Sequence, residues 1–253
     1  MNQQPVISIS IVSHRQGALV TALLADIAAH CVLPLEIILT VNVPENLPFD
    51  AGSYPFPVKI IQNTIRKGFG ANHNAAFAVS RSDHFCILNP DIRFERDPFP
   101  ALLDGLSDPA VGVVAPLVVG PDGQIEDSAR RFPTPLGIVR KALRGKRGPD
   151  YVIGQTSVRP DWIAGMFMLW RSDLFRQIGG FDESFFLYYE DVDACARLRC
   201  AGSGVILMPA ARVTHYARRE SHRNPRYLRW HLASMLRYFL KRFVGRYHVG
   251  LKY

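Results

Sequence analysis

The segment that most limits the fold of this chain is Val6-Ile7-Ser8-Ile9-Ser10-Ile11-Val12, an almost unbroken β-branched run that ends abruptly at Ser13-His14-Arg15. Such a run suits a strand buried on both faces, the situation of a parallel sheet covered by helices. A helical pattern follows directly: Leu19, Leu23 and Ile27 recur at helical spacing, with Val20 and Leu24 beside them. The pairing then repeats. Strands are expected at 35–41, 58–61, 84–88 and 111–116, and helices at 18–30, at about 71–80 and from Pro98 to near Asp108. The Pro- and Asn-rich stretch 42–57 reads as a loop, and Pro121-Asp122-Gly123 as a turn. Strands alternating with helices predict an α/β fold with an open, mostly parallel sheet. Ligands of such sheets bind at the carboxyl ends of the strands. The polar residues that follow each strand are therefore the first to consider: Ser13, His14, Arg15, Asn42 and Asn89-Pro90-Asp91.

The second half is less regular. Residues 132–160 read as a long loop with room for a short helix at 136–143. It carries a basic cluster (Arg140, Lys141, Arg144, Lys146, Arg147) and is either a binding loop or a solvated insertion. Sheet character returns at 161–170, followed by a helix at 171–179 closed by Gly179. A further helix from about Asp191 to Cys200 is closed by Gly202, and 205–208 is a late strand.

At 253 residues the chain can bury roughly 70–75% of its unfolded surface and needs no disulfide to fold. Its 48% hydrophobic and 21% charged residues exclude disordered, collagen-like and coiled-coil classes. The longest apolar stretch, 162–170, is about half the ~20 residues of a membrane helix. Met1-Asn2-Gln3-Gln4-Pro5 offers no basic region before an apolar run, so no signal peptide is expected. Cys31, Cys86, Cys195 and Cys200 lack paired spacing and read as reduced thiols of a cytoplasmic protein.

The net charge of +8 is unevenly spread. Residues 211–253 hold 11 Lys and Arg against one acid, Glu220, whereas the rest of the chain is close to neutral. A basic end of this kind points to an anionic partner such as a membrane surface, nucleic acid or a phosphorylated substrate. Within it, Asn224-Pro225 is a good helix start, and 224–244 reads as a helix. Leu228, Leu232, Met235, Phe239 and Phe243 form one stripe, with Arg226, Arg229, Arg237 and Lys241 opposite. Such a helix either packs on the body with a solvated outer face or attaches to an anionic membrane leaflet. No recognised nucleic-acid motif accompanies the basic end, so nucleic acid is not an expected partner.

Three constellations carry chemistry. Asp91, at a strand end, suits a hard divalent cation shared with substrate phosphates, although Asn-Pro-Asp is also a common turn. Glu190-Asp191-Val192-Asp193 places acids at a helix start, where they favour the helix dipole. The preceding aromatic run, Phe185 to Tyr189, can also desolvate a carboxylate and make it more basic. His215 is followed by Arg218 and Arg219, cations able to hold a diphosphate.

In this order these features resemble the family-2 glycosyltransferases of the GT-A fold, in particular their bacterial rhamnosyltransferase-like branch. The resemblance spans about 6–222. Its most specific part is 161–199, with Gly179-Gly180-Phe181-Asp182-Glu183 and Tyr189-Glu190-Asp191-Val192-Asp193 in the branch's order, and 68–74 matches the family's Gly-Phe segment over the nucleotide. The resemblance implies a GT-A-type, Rossmann-like sheet flanked by helices, in an inverting transferase that uses a nucleotide sugar and Mg²⁺ or Mn²⁺. By position, Asp91 corresponds to the last Asp of the family's DxD motif and would bind the metal, with His215 as a further ligand. Asn89 stands at the motif's first position, where Asp is common. Asp191 would be the catalytic base, with Glu190 positioning the acceptor or tuning it. Ser13, His14, Arg15, Asn42, Gly68, Phe69, Asn74, Asn89, Asp91, Arg218 and Arg219 would line the nucleotide-sugar site. Val41 stands where the family often has an Asp that reads the base, and Arg66 where Asn often precedes Gly-Phe.

The resulting expectation is a transferase domain over 1–222, with a donor half at 1–116 and an acceptor half at 117–222, and a basic amphipathic helix over 223–253. The branch implies L-rhamnose from dTDP-L-rhamnose, a saccharide or lipid-linked acceptor, surface polysaccharide synthesis and a peripheral place at the inner face of the cell membrane. The alternatives are a UDP-hexose or UDP-galactofuranose donor, or a nucleotide-sugar-binding subunit without catalysis. A homodimer is left open.

Overall fold

The structure is a computed structural model that describes residues 5–144, 149–216, 225–245 and 247. Among the described residues ten strands and seven α-helices follow in the order β1 (Ile7–His14), α1 (Gly17–His30), β2 (Leu35–Val43), β3 (Val58–Gln62), α2 (Phe69–Val79), β4 (His84–Leu88), β5 (Ile92–Arg93) and α3 (Phe99–Leu106). Then come β6 (Val111–Val119), β7 (Ala129–Arg130), α4 (Pro135–Arg144), β8 (Trp162–Ile163), β9 (Phe167–Arg171), α5 (Ser172–Gln177), α6 (Glu190–Cys200), β10 (Gly204–His215) and α7 (Pro225–Phe243).

Eight strands form one sheet in the order β3-β2-β1-β4-β9-β6-β10-β5. β1 pairs in parallel with β2 and β4, β2 with β3, and β6 with β10. β9 is inserted antiparallel between β4 and β6, and β5 lies antiparallel on β10. The sheet is thus mostly parallel, and its parallel strands end along one edge. The apolar run of β1 is buried on both faces, as its composition requires. Leu23 and Ile27 of α1 and Phe99 and Leu102 of α3 fill one core layer; Ala76, Phe175, Leu198 and Tyr238, from α2, α5, α6 and α7, fill the other.

Three expectations change. The apolar stretch 161–170 is not one strand. It breaks at Ala164-Gly165-Met166 into β8, which pairs with β7 in a separate two-stranded sheet, and β9. The late strand is much longer than 205–208, because β10 absorbs Pro209, which cannot donate to the ladder, in a bulge between Met208 and Arg212.

The third change concerns α7, which packs on the body through a side other than the expected one. Ser234 and Tyr238 are buried, and Ser234 donates to the Leu187 carbonyl at 2.9 Å. Lys241, expected on the solvated face, pairs with Asp182 at 2.8 Å and also with Asp193. Leu228 and Leu232 point outward instead. The short helix within 132–160 is present as α4, whereas Lys146, Arg147 and Asn224 lie outside the described residues. Cys31, Cys86, Cys195 and Cys200 form no disulfide.

Candidate active site

The carboxyl edge of the sheet collects Ser13 and His14 from β1, Asn42 from β2, Asn89 after β4 and His215 from β10. The turn after β1 is shaped by Glu45. Its carboxylate accepts from the Ser13 hydroxyl, from Arg15 N at 3.0 Å and from Gly17 N at 2.9 Å. It thereby satisfies an orphan donor at the start of α1 and holds Arg15 in a left-handed conformation with φ 61°. His14 and Arg15 are exposed, and Ser13 is buried.

Asn42 is buried and fully engaged. Its Nδ2 donates to the Lys67 carbonyl, its Oδ1 accepts from Lys67 N, both at 2.9 Å, and Asn63 donates to the same oxygen at 2.8 Å. Asn63 also donates to Asn72, which in turn donates to the Gly68 carbonyl at 2.8 Å. This network sets the loop before α2. Gly68 then brings that loop against the aromatic segment, where Phe69 N donates to the Phe186 carbonyl at 2.9 Å. A Cβ on Gly68 would stand 2.6 Å from that oxygen, so glycine is required by close approach. Phe69 packs its ring on His73 and Phe181. Asn74 spends its carboxamide on the 181–183 turn, donating to the Phe181 carbonyl and to Glu183 and accepting from Phe181 N. Asn42 and Asn74 therefore act as clamps on neighbouring chain segments.

Asp91 follows the strand end on a segment fixed from behind, where Arg93 grips Asp26 of α1 through two bonds of 2.5 and 2.6 Å. Its Oδ2 lies 3.4 Å from His215 Nε2, and its buried Oδ1 has no hydrogen-bond partner among the described residues. His215 Nδ1 meets the Glu126 carboxylate at 2.8 Å. Burial pulls the His215 ring down, but its hydrogen bond to Asp91 and the charges of Asp91 and Glu126 outweigh this and raise it to about 9. A divalent cation bound here would take the place of the His215 proton, between the Asp91 carboxylate and an imidazole whose far nitrogen is oriented by a second carboxylate. Among the described residues no group of three or more such side chains forms a complete metal site, so substrate oxygens would have to complete the shell.

Glu190 and Asp191 open α6 after Tyr188 and Tyr189, both left-handed at φ 70° and 68°, a costly conformation for bulky residues. The strained turn is braced by His231 of α7, whose ring lies 5.4 Å from each tyrosine ring. Asp191 accepts from Gly165 N at 3.0 Å and from Val192 N at 2.8 Å. Desolvation lifts its carboxyl above the ordinary value, and those two donors partly offset the rise. Glu190 is buried, with one oxygen unpartnered among the described residues; burial, then the Asp191 charge, push it well above the usual carboxylate range. Asp193 is fully buried and structural, paired with Arg197 at 2.7 Å and with Lys241.

The 164–166 turn unites these parts. Gly165 holds Asp191, while the carbonyl of Met166 accepts from Asn89 N at 2.9 Å. The structure so brings the 89–91 segment, His215, Gly68-Phe69 and Glu190-Asp191 to one edge. Arg218 and Arg219 lie outside the described residues. Sequence reasoning missed Glu45, Asn63, Asn72, Glu126 and Gly165. Glu45, Asn63 and Glu126 sit in or beside loops with no periodic signal, Asn72 is a polar residue within α2, and Gly165 lies inside an apolar run.

The chain is similar to several known proteins. The Glycosyl transferase family 2 profile matches residues 8–173. An N-acetylglucosaminyl-diphospho-decaprenol L-rhamnosyltransferase of Mycobacterium tuberculosis is 28% identical over 245 residues, covering 87% of this chain and 79% of the relative. The rhamnosyltransferase WbbL of Escherichia coli is 30% identical over 189 residues, covering 69% of this chain and 71% of the relative. Among solved structures, GalNAc-T7 with UDP, GalNAc and Mn²⁺ superposes with a TM-score of 0.67 at 16% identity, over 87% of this chain but only 45% of that one. A mannosyltransferase of Pyrobaculum calidifontis with GDP-Man and Mn²⁺ gives 0.63 at 17% identity, over 93% and 65%. The sheet is that of the GT-A glycosyltransferases, and the chain belongs to glycosyl transferase family 2.

Proposed function

We propose that this chain is a metal-dependent, inverting glycosyltransferase that moves L-rhamnose from dTDP-L-rhamnose to a lipid-linked saccharide in bacterial surface polysaccharide synthesis, working at the cytoplasmic face of the membrane. The observation that carries this reading is the 164–166 turn, which joins Asp191 to the strand-end segment of Asp91 through two backbone hydrogen bonds. The names of the Mycobacterium and Escherichia relatives favour rhamnose and a lipid diphosphate acceptor.

Ser13, His14 and Arg15 take the nucleoside end, within a donor half over 1–116, and the acceptor meets the 117–222 half. Asp91 and His215 would hold Mg²⁺ or Mn²⁺, which would supply positive charge to a departing diphosphate. Arg218 and Arg219 add positive charge there. Asp191, ionised and held by Gly165 and Val192, accepts the acceptor hydroxyl's proton. The acceptor oxygen bonds to the anomeric carbon as the bond to the diphosphate oxygen on the opposite face breaks, which inverts that centre. Glu190, neutral in its buried site, adds no second negative charge beside the base.

A thermal-shift panel of nucleotide sugars with and without Mn²⁺ tests the reading. The donor stabilises the native chain in proportion to RT ln(1 + [L]/Kd). A larger shift for dTDP-L-rhamnose than for UDP-sugars is expected, and a UDP-sugar leading the panel overturns the donor assignment.

A further inference from the structure

α7 shows two different sides. Toward the body it buries Ser234 and Tyr238 and sets His231 against Tyr188 and Tyr189. Away from the body, Leu228, Leu232, Leu236 and Leu240 are 49–61% exposed, and Phe243 is 90% exposed. Four leucines at successive i+4 spacing make one continuous ladder on a helix. Isolated exposed leucines are ordinary, whereas a contiguous row marks an interaction surface. Arg229 lies within this face, and a hollow beside it is lined by Arg226, Arg229, Trp230 and Ala233. From Arg226 to Gly245 there is no Asp or Glu.

That charge pattern selects the occupant. A second copy of this helix would bring arginines against arginines with no acid to answer them. An anionic lipid surface answers them throughout, while its acyl boundary takes the leucines and the exposed Phe243. Among the described residues no helix is long and apolar enough to cross a membrane, so the geometry is that of a helix lying in the interface.

We infer that the outward face of α7 docks on an anionic bilayer and thereby holds the catalytic edge against the membrane. Two contacts couple the helix to that edge. His231 braces the left-handed turn just before Glu190-Asp191, and Trp230 packs at a tilt against Phe186 and under the Arg66 guanidinium, 5.2 Å from its ring, at the loop that leads to Gly68. Docking therefore sets the distance of Asp191 from the lipid surface. The purpose of the docking rests on the lipid-linked acceptor proposed above, but the docking itself is measured without any substrate.

The test is co-sedimentation of the full chain with phosphatidylglycerol–phosphatidylcholine vesicles and with phosphatidylcholine vesicles. The wild type is expected to pellet with the first and not the second, and to release at high salt. Replacing two ladder residues together (L232E with L236E) should lower partition about tenfold or more, with melting temperature and nucleotide-sugar shift unchanged because neither side chain packs inward. R229Q should bind more weakly and with a shallower salt dependence. Wild-type chain that stays in the supernatant, or a double variant that pellets like wild type, overturns the inference. So does a wild-type dimer that the double variant dissociates without loss of vesicle binding. Pelleting of a wild type that shows no nucleotide-sugar shift supports the docking and overturns the transferase reading instead.

Discussion

Gly165 donates its backbone N–H to the Asp191 carboxylate at 3.0 Å, although 26 residues separate them. The adjacent Met166 carbonyl takes the N–H of Asn89. One turn thus fixes the acid at the start of α6 relative to the strand end that carries Asp91. If Asp191 is the base, Asp191→Asn keeps the size of the side chain and one acceptor oxygen for the two backbone donors, and removes proton acceptance. Transfer should fall by about 10²–10⁴-fold, while the Kd for the nucleotide sugar, read by calorimetry, stays close to wild type. Equal turnover in the variant sinks the assignment.

The neighbour of that base gives a stability prediction with a definite sign. Glu190 is buried, and its carboxyl is raised above its ordinary 4.5 by desolvation and by Asp191. The folded state therefore keeps a proton that the unfolded chain releases once pH exceeds 4.5. Stability falls as pH rises from there toward the folded-state value, with a slope of about 1.4 kcal/mol per pH unit for one proton. Glu190→Gln removes the titration and should be the more stable protein at pH 7, with the advantage shrinking toward pH 5. Denaturant melts of both proteins across that range check it; parallel curves would count against a neutral buried Glu190.

The pairing of Asp91 with His215 predicts how metal affinity is distributed. Asp91→Asn and His215→Ala each remove one protein donor and should abolish measurable Mn²⁺ binding in calorimetry. Glu126→Gln leaves both donors and weakens only the orientation of the ring at Nδ1, so affinity should fall by about 10–100-fold. Undiminished Mn²⁺ binding in His215→Ala would remove His215 from the site.

Much of this arrangement is legible in the chain, for physical reasons that also mark where legibility stops. β1 and α1 are clear because burial on two faces and burial on one stripe leave different periodicities. The Asp191 segment stands out by its charge beside aromatics. The antiparallel insertion of β9 is not legible, because an apolar strand buried on both faces carries no sign of its direction. The break at Gly165 is hidden for the same reason. The outward side of α7 is not legible, because sequence patterning ranks Tyr238 and Ser234 below leucine, yet Ser234 donates to the Leu187 carbonyl and the Tyr238 ring packs against Tyr189. Glu45 and Glu126 act through contacts 28 and 89 residues away along the chain, which no local pattern encodes.

Gly68 offers the sharpest structural test, because its requirement is steric and local. Its φ of −70° is open to any residue, so backbone conformation does not demand glycine there. What demands it is Phe186, whose carbonyl oxygen and Cα would stand 2.6 and 2.9 Å from a new Cβ. Both are backbone atoms that cannot swing aside, and the same carbonyl accepts from Phe69 N. Gly68→Ala should therefore push the 63–69 loop off the aromatic segment, costing about 1–3 kcal/mol and weakening the nucleotide-sugar thermal shift. Gly154→Ala is the matched control: it is exposed with nothing within 4 Å of a new Cβ, so its stability should stay within about 1 kcal/mol of wild type. If both variants melt and bind alike, the contact between the Gly68 loop and Phe186 is not what holds the edge of the site in place.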